Sequence, residues 1–118
     1  PGAGKVINPA NKWARFVSMA VDRYRPGGVL AQANGWAEGV GVTHWEMWNE
    51  PDLDSFWDAS VEDYARLLKV GYLAAKHTDP QAVVMHAALA NNFAKLDYYR
   101  NVLTALQNSG DAAADLVE

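Results

Sequence analysis

Two short apolar runs set the terms on which this chain can fold. Val42-Thr43-His44-Trp45-Glu46-Met47-Trp48 and Ala82-Val83-Val84-Met85-His86-Ala87-Ala88-Leu89 are dense in apolar and aromatic residues and too short for ordinary helices. The first is bounded by Gly41 and Asn49-Glu50-Pro51, the second by Asp79-Pro80 and Asn91-Asn92. Runs of this kind fit strands covered on both faces. Between them Val61, Tyr64, Ala65, Leu68, Tyr72 and Ala75 mark one helical face, and Ser60-Val61-Glu62-Asp63 makes a capping-box-like start in which Ser60 accepts from the Asp63 amide. A strand, a crossover helix and a second strand make a parallel unit.

The flanks extend the alternation. Asn8-Pro9 reads as a helix start, and Trp13, Phe16, Val17, Ala20, Val21 and Tyr24 recur at helical spacing, so a helix is expected from about Pro9 to Arg25. Pro26-Gly27-Gly28 ends it, and the stretch up to Gly41 reads as an irregular connection. A third helix, roughly Leu96 to Asn108, should carry Tyr99, Val102, Leu103 and Leu106 inward and stop at Gly110. The expected order is helix, strand, helix, strand, helix in one α/β unit spanning 1–118 without an internal boundary. Two doubly covered strands cannot stand alone, because their edges and faces need neighbours. The sequence therefore reads as an interior slice of a larger sheet.

Composition narrows the chemistry. The 118 residues carry 10 basic and 14 acidic side chains, a formal charge of −4, and no basic stripe, which argues against a nucleic-acid partner. With no cysteine there is no disulfide framework and no thiolate ligand or nucleophile, though the compartment is left open. No apolar run reaches the roughly 20 residues that cross a bilayer. No signal-peptide pattern opens the sequence, so targeting is either absent or upstream. Five Trp, five Tyr and three Phe are the unusual part of the composition.

Ligands of parallel α/β folds bind at the carboxyl ends of the strands, where Asn49-Glu50 falls. A carboxyl held there among Trp45, Trp48, Phe56 and Trp57 would be partly desolvated and raised in pKa toward that of a general acid, which makes Glu50 the acid/base candidate. Asn49 has donor and acceptor groups for a substrate hydroxyl. The aromatic rings suit a sugar. Glu46, four residues back along a strand, would be about 13 Å away at about 3.3 Å per residue, too far for the roughly 5 to 5.5 Å of a retaining carboxylate pair. It reads as a buried structural carboxylate paired with a base; Asp52 and Asp54 read as solvated or capping acids. His44 and His86 read as core or supporting histidines rather than metal ligands, and His77 as exposed near a helix C-terminus. Gly2-Ala3-Gly4-Lys5 resembles half a phosphate loop but lacks its first glycine and its Ser or Thr. No metal or other cofactor is called for.

The segment Trp45-Glu46-Met47-Trp48-Asn49-Glu50-Pro51, followed by Asp52 and Phe56-Trp57, closely resembles the fourth strand of the retaining glycoside hydrolases of clan A, (β/α)8 barrels nearest here to family 39 and cellulase-like enzymes. The resemblance runs from Asp22-Arg23-Tyr24 through the second strand. It implies a partial TIM barrel from about the third helix to the fifth helix, with Glu50 as acid/base and Asn49 as the residue that binds the sugar 2-hydroxyl. Trp48, Phe56 and Trp57 would shape the substrate cleft. The nucleophile, a second Glu on the seventh strand, has no counterpart here, and a whole barrel takes roughly 250 residues. A sixth strand would begin near Val117-Glu118. Two expectations follow: a piece of a glycoside hydrolase, inactive by itself and completed by the remaining barrel segments, or a structural or carbohydrate-binding subunit that completes its sheet with other copies.

Overall fold

A computed structural model describes residues 6–90, 96–108 and 116–117. Asn91-Asn92, Gly110 and Gly2-Ala3-Gly4-Lys5, named above as boundaries or motifs, lie outside them. In chain order the elements are β1 (Val6–Ile7), α1 (Lys12–Tyr24), α2 (Val29–Asn34), β2 (His44–Met47), α3 (Val61–Thr78), β3 (Val83–His86), α4 (Leu96–Asn108) and β4 (Leu116–Val117). β2 and β3 pair in parallel, His44 opposite Val83 through Met47 opposite His86, with α3 as the crossover. β1 and β4 form a separate antiparallel pair, Val6 opposite Val117 and Ile7 opposite Leu116. Among the described residues no helix is long and apolar enough to cross a membrane.

The helix starts follow side-chain chemistry. Ser60 caps α3, accepting from the Asp63 amide at 3.1 Å while its hydroxyl donates to the Asp63 carboxylate at 2.8 Å, which holds that carboxyl below its usual range. α1 begins three residues later than expected. Asn8 spends its side chain on the Ala10 amide, closing a turn ahead of the helix, and Asn11 is the residue that caps it, accepting from Ala14. Arg25 is extended, as a residue before proline is pushed to be, and α1 ends there. The expected irregular connection contains α2, six residues closed by Gly35 at φ +62°, so one of the loop glycines is a helix C-cap.

α3 is the central element. It packs against α1 on one side and α4 on the other, and its small residues Gly71, Ala74 and Ala75 let the neighbours approach. One core joins Ala14, Val17 and Val21 of α1 to Met47, Val70, Ala74, Ala75 and Ala82. The other joins Tyr64 and Ala65 to Ala87, Val102 and Ala105. The inward faces are narrower than the periodicity suggested. Phe16 and Tyr24 of α1, Tyr72 of α3, and Tyr99 and Leu103 of α4 are exposed, because each helix buries only the stripe that faces a partner. Phe16 instead stacks on Trp13 at 5.7 Å.

The sheet is covered on one face. Trp45, Met47, Val84 and His86 point to the helices, whereas His44, Glu46, Val83 and Met85 are exposed. Among the described residues the packing against the sheet comes from α3 and its helical neighbours on one side, and the second face expected to be covered is open.

His86 sits in the packed layer between Tyr64, edge-on at 5.1 Å, and Tyr99, stacked at 4.1 Å. Its Nδ1 lies 2.6 Å from the Ala87 carbonyl, which can only accept, so Nδ1 carries the hydrogen and Nε2 is a buried lone pair with no partner among the described residues. Burial lowers the ring's pKa below 6.5, against smaller opposing contributions from the Ala87 bond and Glu46.

Two outcomes are expected. An ideal Cβ on Gly71 lies 2.7 Å from Met47 Sδ and 3.1 Å from Trp13 Nε1. Gly71→Val therefore overpacks the junction of α1, α3 and β2 and lowers stability in urea unfolding by about 1–3 kcal/mol. For His86, the unfolded chain takes up a proton at higher pH than the folded one. Stability is then lost as pH falls below about 6.5, and His86→Asn, whose side-chain amide nitrogen stands where Nδ1 does, shows a smaller fall in urea midpoint over that range.

Candidate active site

The carboxyl ends of β2 and β3 do not part freely. Val83 N donates to Thr43 O at 2.8 Å, and a parallel ladder repeats this rung every second residue, so the rung after Met85 would run from the Ala87 amide to the Met47 carbonyl. The Tyr64 hydroxyl occupies that place. It donates to Met47 O at 3.1 Å and accepts from Ala87 N at 3.0 Å, and the side chain is wholly buried. Burial pushes its pKa up to about 12, so the hydroxyl remains a donor across the physiological range.

Beyond this point the first strand turns sharply. Trp48 has φ +81° and Glu50 φ +44°, a region that costs a non-glycine residue about 1–2 kcal/mol. Neighbouring bonds hold the turn. Glu50 N donates to Ala88 O at 3.1 Å, Ala88 N to Glu46 Oε1 at 2.7 Å, and Ala90 N to Asp52 Oδ1 at 3.0 Å. The segment 46–52 thus grips 88–90 at three further points beyond the Tyr64 bridge. Positive φ at such a place accompanies functional sites more often than ordinary loops.

The aromatic residues fix the following loop. Trp48 Nε1 donates to Phe56 O at 2.9 Å, and Trp57 Nε1 to Ser60 O at 3.0 Å, so each indole ties the loop back to a backbone carbonyl. Trp48 and Trp57 meet edge to face at 5.4 Å, and Trp57 meets Tyr64 in the same way at 5.9 Å. Trp48 and Phe56 keep 41% and 48% of their surface exposed.

Four residues named from the sequence, Trp48, Phe56, Trp57 and Glu50, thus fall in one loop after β2, with Asn49 between them, exposed and with its side chain free of hydrogen bonds to other described residues. Glu50 is half-buried. Trp45 is not part of this group. It points to the helix side and packs against the first core. Glu46 is exposed and is not paired with a base among the described residues: it lies on the open face and accepts from Ala88. Asp52 is 3% exposed and holds the Ala90 amide, a capping role in a buried setting, while Asp54 is exposed. His44 is exposed and hydrogen-bonds Thr43, and the register sets it opposite Val83, well along the sheet from His86. His77 is exposed in the last turn of α3.

Tyr64 and Tyr98 were not recognised from the sequence. Tyr98 lies near Tyr64, with rings 6.3 Å apart, and its buried hydroxyl has no partner among the described residues; burial, with the Asp52 charge adding to it, pushes its pKa up to about 12. A tyrosine at a core position was the available signal, since a buried phenol hydroxyl ordinarily finds a partner. A cavity of about 410 Å³ lined by Leu68, Tyr72, Leu73, Val84, His86 and Leu106 lies on the helix side of β3 and includes none of the loop residues.

No model of a known protein family matches the chain, and no solved structure matches it. Among curated proteins it is similar to a β-xylosidase of Geobacillus stearothermophilus, with 31% identity over 84 residues. The match takes in 69% of this chain and 15% of that protein's length. The chain is therefore similar, over most of its own length, to a small part of a glycoside hydrolase.

Proposed function

We propose that the chain is part of a retaining glycoside hydrolase of clan A, the segment from about the third to the fifth helix of a (β/α)8 barrel, acting on O-glycosidic bonds of oligo- or polysaccharides. The observation that carries most weight is the Asn49-Glu50 pair, set at the strand end by positive φ at Trp48 and Glu50 in the same loop as the exposed Trp48 and Phe56. The open face of β2 and β3 suits the inside of a barrel whose other strands lie elsewhere in the parent chain. Similarity to part of a β-xylosidase agrees with it.

In this mechanism Glu50, protonated, gives its proton to the glycosidic oxygen as the bond to the anomeric carbon breaks. As a carboxylate it then takes a proton from the water that releases the sugar. Asn49 holds the 2-hydroxyl, where a hydrogen bond strengthens as positive charge develops on the ring. Trp48, Phe56 and Trp57 supply the apolar walls of the cleft. The nucleophilic carboxylate belongs to another strand of the parent, so the 118 residues by themselves do not turn over substrate. A carbohydrate-binding subunit that closes its sheet with other copies would instead occur as an assembly of this chain alone. The intact mass of the purified native protein distinguishes the two.

Glu50→Gln in the full-length protein is expected to cut hydrolysis of unactivated glycosides by at least about a hundredfold while sugar affinity, measured by calorimetry, stays within a few-fold. Turnover that survives the change at its original rate shows that Glu50 is not the acid/base.

A further inference from the structure

We propose that the Tyr64 hydroxyl is a positioning residue for Glu50: it stands as a wedge in the ladder between β2 and β3 and so sets the direction in which the Glu50 carboxyl leaves the strand. The inference rests on Glu50 being the acid/base. A direct rung from Ala87 N to Met47 O would keep the strands together for one more residue pair. With the hydroxyl between them, one hydrogen bond becomes two, of 3.1 and 3.0 Å, and the strand ends stand apart by the width of an oxygen atom. The first residue after the wedge, Trp48, takes φ +81°, and the strands meet again only at Glu50 N to Ala88 O, with Glu50 itself at φ +44°. Each step between Tyr64 and Glu50 is thus a backbone contact: Met47, the turn at Trp48, and the Ala87-Ala88 segment that Tyr64 holds on one side and Glu50 on the other.

The wedge is held from behind. Tyr64 lies in the first turn of α3, four residues after the Ser60 cap, and its ring is fixed by Trp57, His86 and Tyr98. Glu46 Oε1 takes the Ala88 amide, so the Ala88 peptide is gripped at both its N–H and its carbonyl by the strand that carries Glu50. Removing the hydroxyl alone leaves two buried groups, Met47 O and Ala87 N, whose simplest remedy is to pair with each other. That closes the gap and turns the residues after Met47.

A general acid displaced by a fraction of an ångström fails first where it is most needed. Aryl glycosides with strongly acidic phenols leave without protonation, whereas alkyl glycosides and those of weakly acidic phenols do not. Tyr64→Phe in the full-length protein is therefore expected to lower kcat/KM at least about tenfold for a weakly acidic leaving group and to leave a dinitrophenyl glycoside within about twofold, with KM little changed. A purely structural role reduces the folded fraction and scales both substrates alike. Incorporation of 4-aminophenylalanine at position 64, whose nitrogen both donates and accepts on the same ring, should restore the weakly acidic substrate to within about threefold of wild type, and it decides the matter if the Phe variant does not fold. Equal losses on both substrates, no loss on either, or a folded aminophenyl variant without recovery would overturn the proposal. Glu50→Gln run beside it separates the two failures: if that variant also retains full activity, the acid/base assignment is wrong, and if only the Tyr64 variants do, the wedge is.

Discussion

A buried hydroxyl placed where two strands would otherwise share a hydrogen bond governs the end of this sheet that carries the candidate site. Tyr64 satisfies the Met47 carbonyl and the Ala87 amide at once. Each such bond contributes only about 0.5–1.5 kcal/mol net, but leaving either buried group without a partner costs about 1–3 kcal/mol, so the three groups act as one unit. The start of α3, the last residues of both strands and the loop bearing Glu50 are thereby referred to the same point.

The rest of the fold serves to bring that tyrosine to the strand ends. α3 can lie close over β2 because Gly71 leaves room for the Met47 side chain, and Trp13 Nε1 donates to Leu67 O at 3.0 Å, joining α1 to α3. Helices on one side and exposed Val83 and Met85 on the other make the sheet asymmetric, and the Glu50 loop emerges at the end of this one-sided layer. Reactive groups on a rigid, cross-braced turn can be held to the tolerances that proton transfer requires.

Much of the layout was legible because it depends on neighbours in sequence. Ser60 and Asp63 make a cap out of four consecutive residues, and α3 was anticipated in place. α1 was misjudged at its start, since Asn8 and Asn11 are both competent caps and only the Asn8 bond to Ala10 decides between them. α2 was missed because six residues between glycines offer too little periodicity. In β2 the alternation of His44 and Glu46 with Trp45 and Met47 was present in the sequence, but the density of apolar residues around it suggested burial on both faces, whereas His44 and Glu46 are exposed. Tyr64 could be placed on the inward face of its helix. Its function could not, because its hydrogen-bond partners lie 17 residues before it and 23 after it, at two strand ends that only the folded chain brings together.

Under the proposed function Glu50 is one of two carboxylates acting on a sugar from opposite sides. This is tested most directly by a crystal structure of the full-length protein with a bound oligosaccharide or glycoside analogue. Expected there are the Glu50 carboxyl within hydrogen-bond distance of the glycosidic oxygen, Asn49 at the 2-hydroxyl, and a second carboxylate about 5 to 5.5 Å from Glu50 across the anomeric carbon. A sugar bound elsewhere, or a Glu50 with no second carboxylate facing it, would contradict it.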